Sequence, residues 1–297
     1  MTWCPNSVSG MHLPAFAASE AGLFAEQGLD VAYVPSAQAP EAVAAGDADF
    51  ALTSIVHVLD AQSRAAERLP VRFVAAFHQR NPMVGVVRED SNLREASDLA
   101  GARAARWSMP WYAHEYAGAL SHMGLGAPVL VDTPGGLDVA LGSGAVEVLP
   151  MWMDNLTPAR ARGMTLHHDG HDFAIRAIAL DVPVYSTGLI AADRVPLDVV
   201  RRMRHALAAG HELQRAHPQP GLAGFRRCFP EVSEEHARIN WELYEPYAFD
   251  GAGPGAMTAA RWQDTIAHSA AAHDLPPLPA QHVLRAELCM EPVSAQR

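Results

Sequence analysis

The sequence predicts an α/β protein built as two lobes, and three observations carry that reading. Strand and helix patterns alternate from the first residues. The alternation restarts after "REDSNLREASDLAG" at residues 88–101, and from Asp198 onward the pattern is mostly helical. Alternating strands and helices imply a largely parallel sheet in each lobe.

The first lobe opens with Leu13, Phe16, Ala17, Ala21 and Phe24 at helical spacing, punctuated by Gly22 and Gly28. "LDVAYVP" then reads as a strand, residues 40–45 as a short helix, and "ADFALTS" as a strand ending in polar residues. "IVHVLDAQSRAAE" returns to helical periodicity, and "VRFVAAF" is another apolar strand. In the second lobe "ARAARWS" predicts a strand, residues 111–123 a helix, "PVLVD" a strand and residues 137–141 a short helix. "VEVLP" and "GMTLHH" add short strands, and "FAIRAIALDVPVYSTGLIAA" carries strand character back to the first lobe. The late helices "DVVRRMRHALAAGHELQRAH", "SEEHARINWELYEPY" and "GAMTAARWQDTIAHSAAAH" are expected to clad that lobe. Two such lobes joined by short crossovers are expected to leave a cleft, the favoured place for a small ligand.

Composition narrows the function classes. A formal charge of -11, from 22 Lys+Arg against 33 Asp+Glu, disfavours nucleic acid and anionic membranes as partners. No apolar run approaches the length of a transmembrane helix. Cys4, Cys228 and Cys289 supply neither a disulfide framework nor a Cys-x-x-Cys zinc pair. No basic and apolar leader precedes Trp3, so the expected location of the chain as given is cytoplasmic. A periplasmic or lipid-anchored protein is expected only if the sequence starts at a mature domain, and only then an ABC transporter as partner. A homodimer is left open.

Several strand ends carry candidate ligand groups. "CPNSVSGMH" offers Asn6, Ser7, Ser9, backbone N–H groups and His12, next to a helix N-terminus that favours anions; its plain alternative is an ordinary connection. Cys4 is a candidate nucleophile, which requires a lowered pKa and a nearby base; the plainer role is a small buried cysteine. "TSIVH" places Thr53 and Ser54 at a strand terminus and His57 one turn into a helix, where a neutral ring donates, accepts or transfers a proton. "FHQRNPM" contributes His78, Arg80 and Asn81, with Arg80 either a bidentate clamp for an anion or a structural cation.

"WSMPWYAHEY" gathers Trp107, Ser108, Trp111 and Tyr112, a set suited to stacking on a flat, partly apolar ligand. "MWMDN" adds Trp152, Asp154 and Asn155, where Asp154 binds an amine or caps a helix. "VYSTG" returns Tyr185, Ser186 and Thr187. His167, His168 and His171 in "HHDGHD" lack a fixed ligand set, so no metal site is expected. Phosphate-loop and nucleophile-elbow motifs are absent from the sequence.

The segments "HLPAFAASEAGLFAEQGLDVAYVP" and "AVAAGDADFALTSIVHVLDAQSR" resemble the sulfonate-binding and thiamine-pyrimidine synthesis (NMT1/THI5-like, SsuA-like) family of the type 2 periplasmic-binding-protein fold. The resemblance continues more loosely through "NLREASDLAGARAARW", "ALGSGAVEVLPMWMDN" and "VYSTGLIAADR". It implies a two-lobed fold with the ligand cleft between lobes. The implied first lobe is residues 1–85 plus 185–297, and the inserted second lobe residues 86–184. Trp3, His12 and His57 look like site residues of the family's pyrimidine synthases. The lysine that carries pyridoxal phosphate there falls at Thr53, and the chain contains no lysine at all. The cysteine-rich segment of those enzymes is replaced by "FAIRAIALDVPVYSTG". An internal Schiff base is impossible without a lysine amine, so no cofactor is expected.

The leading expectation is therefore binding of a small heteroaromatic metabolite, such as a pyrimidine or thiamine precursor. A cytoplasmic lyase or hydrolase acting on a small aromatic substrate is the first alternative, with His57 as general acid/base and Cys4 as nucleophile. A cytoplasmic metabolite sensor is the second.

Overall fold

Strand β1, Thr2–Pro5, opens a computed structural model that describes residues 2–5, 9–34, 38–106, 110–133, 136–249, 252–276 and 278–289. The side chains of residues 2–5, Pro110 and Leu137 lie outside that description. The chain divides into two compact units. The first comprises Met1–Arg80, Val184–Ala270 and Leu275–Arg297; the second comprises Asn81–Pro183 and Ala271–Asp274.

In the first unit β1 leads to α1 (Leu13–Glu20), α2 (Leu23–Glu26), β2 (Ala32–Tyr33), α3 (Ala39–Ala45), β3 (Phe50–Ser54), α4 (Ile55–Arg64) and β4 (Val71–Ala76). The second unit holds β5 (Met83–Arg88), β6 (Arg103–Arg106), α5 (Pro110–His122), β7 (Val129–Asp132), α6 (Leu137–Gly142) and β8 (Leu149–Trp152). It continues with α7 (Thr157–Ala161), β9 (Thr165–His168) and β10 (His171–Ala179). The chain returns through β11 (Thr187–Ala192) to the helices α8 (Leu197–Ala216), α9 (Gln219–Cys228), α10 (Glu234–Ala248) and α11 (Ala259–Ala272), then α12 (Ala280–Val283).

The first unit's sheet has the order β2-β1-β3-β11-β4. β1 runs parallel to β2 and β3, whereas β11 is antiparallel to both β3 and β4. The second unit's four-stranded sheet, β8-β5-β10-β9, is antiparallel throughout, and β6 and β7 form a separate parallel pair. The expectation of a largely parallel sheet holds in the first unit, where β1 to β4 run in one direction and β11 is reversed. It is corrected for the four-stranded sheet of the second unit. Crossover helices fix parallel pairing only between the strands they join. The long returning segment splits into β10 and β11, each hydrogen-bonded between two strands in the opposite sense.

Gly188 admits β11 between its neighbours, because a Cβ there would lie 2.6 Å from the Ala75 carbonyl oxygen. "LDVAYVP" yields only Ala32–Tyr33, paired with Thr2 and Trp3 at the sheet edge. The Tyr33 hydroxyl donates to the Ala15 carbonyl at 3.2 Å and holds that edge to α1. Phe50, Phe73, Phe77 and Trp262 are fully buried in the first unit's core, each typically worth a few kcal/mol of burial. At the β9–β10 turn, Asp169 (φ 49°) and Gly170 (φ 78°) are both left-handed, as a two-residue hairpin requires. That turn absorbs "HHDGHD": His167 lies across from Asp172, with Nδ1 at 2.8 Å from Oδ1. Among the described residues no cluster fit to hold a metal ion occurs, and no helix is long and apolar enough to cross a membrane.

Candidate functional site

Two polar groupings stand out, one in each unit. In the first unit β3 ends at Ser54, whose side chain caps α4 by accepting from the His57 N–H at 3.4 Å. β11 begins opposite it, with Thr187 in register with Ser54 and the Ser186 carbonyl accepting from the Ile55 N–H at 2.8 Å. The Thr187 carbonyl accepts from Phe77 N–H at 2.9 Å and His78 N–H at 3.1 Å. Thr53, Ser54, Ser186, Thr187 and His78 therefore meet at one end of the sheet, and all are buried. The Ser186 and Thr187 hydroxyls make no hydrogen bond among the described residues.

Other expected contacts of this unit have definite surroundings. Ser9 caps a short 3-10 turn by accepting from Met11 N–H at 3.4 Å. His12 is completely buried, and burial alone lowers its pKa to about 3, so the ring is neutral. His57 is exposed, yet desolvation lowers its pKa; Asp60 and Glu41 oppose the shift. Arg80 places its guanidinium 4.9 Å from the centre of the Tyr247 ring, a cation–π arrangement. Tyr185 is engaged structurally: its hydroxyl accepts from Thr258 N–H at 3.0 Å and its ring lies 5.2 Å from Trp262. Asn6 and Ser7, like Trp107 and Ser108 of the second unit, lie outside the described residues, as does the Cys4 side chain.

The second unit brings Trp111, Tyr112 and Trp152 together. Trp111 and Tyr112 are adjacent on α5, with ring centres 3.7 Å apart. Trp152, at the end of β8, meets them edge-on at 5.2 Å and 5.9 Å. Asn155 donates to the Tyr112 hydroxyl. Asp154 is buried and lies in the turn after β8, where its carbonyl accepts from the Thr157 hydroxyl at 2.6 Å. The capping position belongs to Trp152, so Asp154 is not the helix cap that its sequence context admits.

Sequence reasoning missed Glu115. Its Oε1 accepts from Asn81 Nδ2 at 2.7 Å and its Oε2 from Trp152 Nε1 at 2.9 Å. Burial raises its pKa to about 7, with the two hydrogen bonds pulling the other way. The available signal was its spacing, three residues after Tyr112 and four after Trp111, which places all three on one helix face. Tyr247, the ring beneath Arg80, was missed as well. On the opposite face of the second unit's sheet, Val86, Leu149, Met151, Leu156 and Ile175 line a pocket of about 290 Å³ that Asn155 also borders.

Solved structures with the same fold give these groupings a frame. The periplasmic aliphatic sulphonate binding protein SsuA from Escherichia coli superposes with a TM-score of 0.69 at 15% identity, covering 95% of this chain and 90% of that one. The alkanesulfonate-binding protein SsuA from Xanthomonas axonopodis pv. citri, bound to MOPS, gives 0.60 at 17% identity, covering 97% and 96%. A cysteine-to-serine mutant of DszB in complex with biphenyl-2-sulfinic acid gives 0.59 at 17% identity, covering 97% of each chain. No curated protein matches the sequence. The family described as NMT1/THI5 like matches residues 9–220, which include β3, β11 and the whole Trp111–Glu115–Trp152 grouping. With that match across most of its length and these structures sharing its architecture, the chain belongs to the NMT1/THI5-like family and has the type 2 periplasmic-binding-protein fold.

Proposed function

We propose that the protein binds a small flat heteroaromatic molecule, such as a pyrimidine, carrying a polar or anionic substituent. The observation that supports this reading is the Trp111–Tyr112–Trp152 grouping: three large rings, edge-tied and anchored by polar partners, in a family of small-molecule proteins. Rings of this size bury large area at little entropic cost; Trp111 and Trp152 are half-buried and retain ring surface for stacking, whereas Tyr112 is buried. The structural relatives favour an anionic substituent, since aliphatic sulphonate, MOPS and biphenyl-2-sulfinic acid are what their descriptions name. The strand-end hydroxyls of the first unit are candidate polar contacts in their own right.

Titration calorimetry with 4-aminopyrimidine, benzenesulfonate and methanesulfonate tests the reading. At least one aromatic probe is expected to bind, with Trp152→Ala weakening it by roughly ten-fold or more. Methanesulfonate binding as tightly as both aromatic probes, or an indifferent Trp152→Ala variant, sinks the proposal. The periplasmic relatives also support delivery to an ABC transporter from outside the cytoplasm. Fractionation of cells expressing the native gene decides this, and a wholly cytoplasmic product rejects it.

A second reading, catalysis on the same class of compound, draws on His57, exposed and held below its ordinary pKa. Product formation from a bound probe, lost in His57→Ala, supports it; an unaffected rate rejects His57.

A further inference from the structure

Glu115 is 7% exposed, and the causes of its raised pKa include no cationic group. A carboxyl taken from water without a charged partner is costly unless its oxygens are hydrogen-bonded. Here both are. The donor assignment is forced by the neighbours. Asn81 Oδ1 accepts from Met83 N–H at 2.9 Å, so its amide can present only Nδ2 to Glu115. An indole nitrogen is a donor only. The carboxylate therefore receives one N–H on each oxygen, and the protonated acid, with one oxygen made a hydroxyl, accepts the pair more weakly.

This tie joins three separate pieces of the second unit: Asn81 before β5, Glu115 on α5, and Trp152 at the end of β8. A tryptophan's outer torsion is otherwise broad. With its N–H fixed on Glu115 and its edge against Trp111 and Tyr112, the Trp152 ring plane is defined.

We propose that Glu115 is a positioning residue: anchored by Asn81, its carboxylate holds the Trp152 indole in the plane against which a flat ligand stacks. This deepens the reading above and rests on it. Protonating Glu115 turns one oxygen into a hydroxyl, a weaker acceptor, and adds a buried O–H that needs an acceptor of its own, so the N–H bond to that oxygen weakens. Among the described residues, the other ionisable groups facing this corner are Tyr112 on the same helix and Asp154 on the turn after β8. Tyr112, its pKa raised by burial, stays protonated.

The test uses the full chain labelled with ¹⁵N-tryptophan and no ligand, with Trp152→Phe assigning the indole resonance among the six tryptophans. In the wild type the Trp152 N–H signal is expected to move upfield on acidification, with a midpoint near 7. In Glu115→Gln it is expected to be displaced and independent of pH. Asn81→Ala leaves the carboxylate but removes one donor, so the midpoint should rise, and this variant serves if Glu115→Gln fails to fold. In calorimetry Glu115→Gln should lose roughly ten-fold of the preference for benzenesulfonate over methanesulfonate, the scale of one lost hydrogen bond. A Trp152 signal that does not titrate, or is the same in both variants as in the wild type, overturns the positioning role. So does a lower Tm with an unchanged signal and preference. Binding of no probe by the wild type overturns the ligand reading, and the selectivity claim with it, while the indole titration still decides the tie.

Discussion

The His78 and Tyr244 rings meet at a 42° tilt with centres 4.5 Å apart, and the Tyr244 hydroxyl lies 3.3 Å from His211 Nε2. His211 in turn stacks on Phe77 at 4.5 Å, 5° from parallel. The first unit thus carries neutral imidazoles in its core as aromatic packing pieces.

Burial lowers the pKa of His12 and His78 to about 3, and that of His211 to about 4. The unfolded chain binds these protons at about 6.5, so between 6.5 and the folded values it holds more protons than the native state. Stability is complete above 6.5 and is lost as pH falls. Each histidine costs roughly 2 kcal/mol between pH 7 and 5. Glu115, raised to about 7, acts with the opposite sign and offsets about one of them. The urea midpoint is therefore expected to fall markedly between pH 7 and 5. A midpoint that holds or rises contradicts neutral buried imidazoles.

Gly210 supports a prediction about how α8 seats on α1. A Cβ at that position would stand 2.3 Å from the Pro14 carbonyl oxygen and 2.9 Å from Ala18 Cβ. Backbone cannot yield as a side-chain tip does, so Gly210→Ala should force the helices apart and cost about 2 kcal/mol. Gly126→Ala is the control: its nearest contact is 3.6 Å away, and it sits at an exposed position. Equal urea midpoints for the two variants would show that the approach is not tight.

The α/β class and the strand ends were legible because they depend on local patterns: apolar runs in β3 and β4, polar punctuation at Thr53 and Ser54. The direction of β11 was not, since "STGLIAA" reads identically in a parallel or an antiparallel ladder; only Gly188 between Phe73 and Ala75 hints at close quarters. Trp111, Tyr112 and Trp152 were legible as large rings near strand ends. Glu115 was not, because a glutamate on a helix is most often a solvated surface charge. What distinguishes it is two donors, 34 and 37 residues away in sequence, that only the tertiary fold supplies. Tyr185, expected from its sequence context at the ligand, has contacts within the fold that the sequence did not reveal, to Thr258 and Trp262.

Ser186 and Thr187 separate fold from function most cleanly. Both are buried, and neither hydroxyl has a hydrogen-bond partner among the described residues. A buried hydroxyl without a partner costs on the order of 1–3 kcal/mol, which a purely structural site has no reason to bear. Ser186→Ala and Thr187→Val delete the hydroxyls with little change of volume. Each ligand-free variant is expected to be as stable as the wild type or more so, by up to about 1 kcal/mol in urea. If these hydroxyls serve the ligand, the bound aromatic probe should dissociate roughly ten-fold more readily. A variant that loses stability while keeping the probe's affinity would place its hydroxyl in the fold and remove it from the site.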